Sequence, residues 1–105
     1  MLRKSDIAEA ISIEENTTFA IGECVYIRTV TYAATGRITR LSNIGSMHFI
    51  HLEDAAWIPD SDRWMQAIEN GVLKEIEPVT SQVRVAVAAI VDVWCWNHPL
   101  PRKQK

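Results

Sequence analysis

The chain has 105 residues, 48% of them hydrophobic and 23% charged, with a net charge of −2. That length gives room for one domain with a real core and excludes neither metal nor ligand binding, but the composition excludes a disordered chain, and no run reaches the ~20 apolar residues of a membrane span. The acidic balance argues against duplex nucleic acid as a partner, because backbone phosphates demand clustered Lys and Arg; a small anion held by two or three placed arginines is still allowed.

In chain order, residues 1–6 turn acidic before an apolar run develops, which is not the pattern of a secretory signal, and the protein is expected to act inside the cell that makes it. Ile7, Ala8, Ala10 and Ile11 behind a capping Ser5 or Asp6 predict a short helix over residues 5–13, followed by a polar link over 14–18. Residues 24–32 form the clearest strand: Val25, Ile27, Thr29 and Thr31 point one way, and Tyr26, Arg28, Val30 and Tyr32 the other. A turn at residues 33–36 leads to a second strand near 37–42. Asn43-Ile44-Gly45-Ser46 then turns the chain into a third strand over 47–53.

The segment Leu52-Glu53-Asp54-Ala55-Ala56-Trp57-Ile58-Pro59-Asp60 is expected to leave that strand and expose an aromatic ring before a proline corner. Asp60 or Ser61 caps a predicted helix with apolar Trp64, Met65 and Ile68, which ends at Asn70-Gly71 in left-handed fashion. A short strand over 73–77 stops at Pro78. Residues 82–96, rich in valine, read as two strands broken around Val87-Ala88-Ala89. Arg102-Lys103-Gln104-Lys105 reads as a solvated basic end. The expected fold class is α+β: a single domain built on a small, strongly bent antiparallel sheet or open barrel of five to six strands, with one inserted helix and a short N-terminal helix.

Cys24 and Cys95 lie in apolar strands without metal-ligand spacing and read as reduced core thiols rather than a disulfide. His48 and His51 are three apart on a strand and face opposite sides of the sheet, so they cannot share a metal. No Gly-x-Ser-x-Gly elbow and no glycine-rich phosphate loop occurs, which makes catalysis the weaker reading. Neither metal nor cofactor is expected.

Four residues are the candidate ligand contacts. Arg63, a cation in a first helical turn, opposes the helix dipole; either Asp60 compensates it or it holds an anion together with the helix N–H groups. Arg28 and Arg84 lie mid-strand. They either point to solvent or pair with Glu75 and Asp92, or they grip a phosphate. Trp57 either lids the edge of the core or stacks on a purine, while Trp64, Trp94 and Trp96 read as packing residues.

The blocks over residues 27–31, Thr35-Gly36-Arg37, the Leu52 to Trp57 segment with Asp60 and Arg63, and Glu75-x-Glu77-Pro78 resemble the phage-encoded Thoeris anti-defence sponges of the first type, over residues 22–101. The Asp54-Ala55-Ala56-Trp57 block is the distinctive part. The resemblance implies a homo-oligomer, dimeric or dimer-based, that is not an enzyme. It would bind a cyclic adenine nucleotide signal, a cyclic ADP-ribose isomer or a cyclic oligonucleotide, without cleaving it, in the cytoplasm of the infected bacterial host. A virion component, such as a capsid-decoration or neck protein on a small β-barrel, is the alternative.

Overall fold

The computed structural model describes residues 20–105; the helix predicted over 5–13 lies outside them. Six strands and one helix follow in the order β1 (Cys24–Thr29), β2 (Ala33–Ile44), β3 (Met47–Asp60), α1 (Trp64–Asn70), β4 (Glu75–Pro78), β5 (Val83–Ala86) and β6 (Ile90–Cys95), with a single 3₁₀ turn at Val87–Ala89. They form one antiparallel sheet in the order β4-β3-β2-β1-β6, and β5 also pairs with β3. The sheet is open.

The long β2–β3 hairpin organises everything else. β3 carries β2 along one edge and divides its other edge between two short strands: β5 pairs with Phe49 to Leu52, and β4 with Ala56 to Asp60. The segment from Leu52 to Asp60 therefore does not leave the strand, as its composition led us to expect, but continues it. The device that allows this is a bulge at which Asp54 takes a left-handed backbone, φ 51, a conformation that a short polar side chain tolerates. Beyond the bulge Ala55 and Ala56 are both fully buried.

Alternation in β1 separates two apolar clusters. Val25 and Ile27 pack with Ile38, Ile50, Leu52, Ala55 and Val85. Tyr26 packs with Ala56, Ile58, Leu73, Trp96 and Ala67, the residue through which α1 covers that face. The stacked pair Tyr26 and Trp96, with ring centroids 5.8 Å apart, anchors this second cluster. Burial pushes the Tyr26 phenol above its ordinary pKa.

The helix starts one turn corner later than the sequence implies. Asp60 spends its carboxylate on the Asp62 N–H at 2.8 Å, and Arg63 occupies the N-cap without a side-chain cap. Gly71 ends the helix in the left-handed region as expected, with φ 72. Both thiols are free but neither is a core residue, since Cys24 is half-buried and Cys95 exposed; Cys95 donates to Glu23 Oε1 at 3.3 Å, which holds its proton on and raises its pKa. The basic end is not a solvated tail: Lys105 exchanges two backbone hydrogen bonds with Ile76 at 2.9 and 3.0 Å, and the Arg102 guanidinium donates to the Ala55 carbonyl at 2.9 Å.

Candidate functional site

Two clefts meet at Ser61, one on each side of the start of α1. The first, about 340 Å³, is lined by Tyr26, Arg28, Tyr32, Ile58, Asp60 and Trp64 among others. The second, about 410 Å³, is lined by Arg63, Gln66, Asn70, Lys74 and Lys105 beside Asp62. Both volumes fall in the range of small-molecule sites, roughly 300–1,000 Å³. They differ in chemistry: three aromatic rings line the first, and three cations line the second.

The local sequence explains the division. β3 ends at Asp60, and the corner Ser61-Asp62, with Asp62 at φ 60, turns the chain sharply into α1. Successive residues at the head of a helix point in different directions, so Arg63 enters the second cleft and Trp64 the first.

Arg28 is held by a network rather than left free. Its Nε donates to Asp92 Oδ1 at 2.8 Å and its Nη2 to Oδ2 at 2.5 Å, a forked pair across the β1–β6 register. The guanidinium carbon also lies 4.0 Å above the Trp64 ring. Trp94 completes the cluster, meeting Trp64 edge-on at 4.6 Å and donating its Nε1 to Asp92 Oδ1 at 2.9 Å. The pairing of Arg28 with Asp92 that the sequence allowed is present. Arg28 Nη1 has no hydrogen-bond partner among the described residues, and Arg28 lines the cleft. The Trp64 indole N–H is buried without an acceptor there as well.

The same pair makes the fold acid-sensitive. The Arg28 hydrogen bond, helped by Trp94, holds the Asp92 carboxyl below the usual carboxylate range, against the opposing effect of burial. A depressed carboxylate stabilises the fold above its unfolded pKa, and that contribution is lost as pH falls through the folded value. Thermal melts between pH 5 and pH 2 should therefore show the parent chain losing stability faster than Asp92→Asn. Parallel curves for the two would mean that the pair contributes nothing.

The four candidate contacts lie in three regions of the chain. Arg28 and Arg63 line the two adjoining clefts. Trp57 is on the other side of the sheet: it pairs through Ala34 with Ile27, whereas Arg28 pairs with Ala33, and neighbouring residues alternate faces. Arg84 pairs through His51 with Arg40, seven residues along β2 from Ala33. At about 3.3 Å per residue that is roughly 23 Å from the Arg28 row, too far for the two to grip one phosphate within a subunit. Tyr26, Tyr32, Trp64, Lys74 and Lys105 line the clefts without having been singled out as contacts. The shared facing of Tyr26 and Arg28 on β1 was the available signal for the first cleft, which Tyr32 enters from the turn between β1 and β2. No protein-family model, curated protein or solved structure matches this chain.

Proposed function

We propose that this chain binds a cyclic adenine nucleotide across the two clefts, with the base among the rings of the first and a phosphate against the cations of the second, and withholds it without cleaving it. The juxtaposition of an aromatic and a cationic cleft at Ser61 carries the reading. A nucleotide needs both surfaces a few ångströms apart, and a phosphate on Arg63 would relieve a cation that opposes the helix dipole. The family resemblance adds the biological role, an anti-defence sponge acting in the cytoplasm of the infected host.

The test is a calorimetric titration with a cyclic ADP-ribose isomer, followed by heating and chromatography of the released ligand. Arg63→Gln should weaken binding about tenfold or more, as expected for a lost hydrogen bond to a charged group, about 1.5–3 kcal/mol. Unchanged affinity would remove the cationic cleft from the site. Recovery of a chemically altered nucleotide would exclude sequestration.

Self-association fits the outer hairpin, where Leu41, Ile44 and Met47 are 54%, 74% and 57% exposed. The same apolar tip is what favours the second reading, a virion component docking through β2 and β3. Recovery of the protein in purified virions, with no nucleotide-induced rise in melting temperature, would select it.

A further inference from the structure

A second basic site lies away from the clefts, on the outer half of the hairpin. Arg40 of β2 is the partner of His51 of β3, and His51 is the partner of Arg84 of β5. Directly opposed residues of antiparallel strands share a face, so the three side chains form a row across the sheet. Strands are about 4.8 Å apart, which puts the two arginine Cα atoms roughly 10 Å apart with the imidazole between them.

The middle of the row is built. His51 is only 4% exposed, and both ring nitrogens are engaged: Ser42 Oγ lies 2.6 Å from Nε2 and Gln82 Oε1 lies 3.3 Å from Nδ1. The ring is fixed by these two contacts and fully used, a rigid spacer rather than a ligand.

The two ends are open. Arg28, Arg37 and Arg102 each have acceptors, but Arg40 and Arg84 are exposed and make neither an ion pair nor a side-chain hydrogen bond among the described residues. The nearby carboxylates are occupied, because Arg37 holds Asp54 at 2.8 Å and Glu53 at 3.5 Å. Two guanidinium groups on one face, without partners among the described residues, repel each other, and an oxyanion presented to both forks relieves that repulsion and satisfies their donors.

We infer that Arg40 and Arg84 together bind a phosphate group over the His51 ring, at a site independent of the two clefts. His51, Ser42 and Gln82 are positioning residues that set the spacing of the forks.

Arginine Nε–Hε resonances of the full chain, titrated with inorganic phosphate and with sodium chloride at matched ionic strength, test this. Arg40 and Arg84 should shift together and saturate with phosphate, and chloride should leave them unmoved. Arg40→Gln should weaken phosphate binding at least tenfold as read at Arg84, and Arg84→Gln should do the same as read at Arg40. Arg40→Lys, which keeps the charge and loses the fork, should be intermediate and guards against a misfolded first variant. Shifts that never saturate, an equal response to chloride, or an Arg84 response that survives Arg40→Gln would each overturn the assignment.

Discussion

Gly36→Val is expected to destabilise the fold by about 3 kcal/mol or more, at the upper end of what overpacking a core costs. A Cβ at position 36 would sit 2.9 Å from Leu52 Cβ, 3.2 Å from its Cδ1 and 3.3 Å from its Cγ. Leu52 cannot yield, since it is fully buried among Val25, Ile27, Ile38, Ile50 and Val85. Gly36 also sits where the β2–β3 register slips between Thr35 and Arg37, so displacing it would disturb the bulge that lets β3 run on to the clefts. Urea titration checks the value, with Gly36→Ala expected to lose about 1–2 kcal/mol. A loss below about 0.5 kcal/mol for both variants, the scale of an ordinary surface change, would show that the hairpin relaxes freely there.

Gly71→Ala should cost a comparable amount, about 3 kcal/mol, from two sources that add. The residue has φ 72, where a Cβ costs roughly 1–2 kcal/mol. A Cβ there would also meet the His98 ring, 2.6 Å from Cγ and 2.9 Å from Nδ1. His98 is not a passive neighbour: its Nε2 lies 2.7 Å from the Ile68 carbonyl at the free end of α1, and its ring packs edge-on against Trp96 at 4.9 Å. Pushing the imidazole away uncaps the helix whose residues Gln66 and Asn70 line the cationic cleft. Circular dichroism melts of Gly71→Ala, His98→Ala and the double variant separate the two sources, because the clash disappears when the ring is removed. The double variant should be more stable than the sum of the single losses implies. Strict additivity would reduce the effect to backbone conformation alone.

Local chemistry made much of the fold readable in the sequence. The alternation of Val25, Tyr26, Ile27 and Arg28 placed the two core faces, Asn70-Gly71 marked the helix end, and Val87-Ala88-Ala89 marked the break between β5 and β6. The extent of β3 was not readable, because Pro59 and the charged Glu53-Asp54 pair look like a strand terminus. Only the left-handed Asp54 and two short partner strands far along the chain make the continuation possible. The grouping of the candidate contacts was not readable for a related reason. Which arginines stand together depends on cross-strand register, and two bulges in the β2–β3 ladder shift that register in a way periodicity does not encode. Trp64 counted as a core residue by helical phase, and it does pack on Trp94, yet its position at the first turn of α1 also places it in a cleft wall.

The placement of the base is the central claim, and intermolecular nuclear Overhauser effects from a bound cyclic ADP-ribose isomer test it most directly. The adenine H2 and H8 protons should show cross-peaks to the ring protons of Tyr32 and Trp64. Cross-peaks to Trp57 on the opposite face, or none to either cleft ring at saturating ligand, would contradict it.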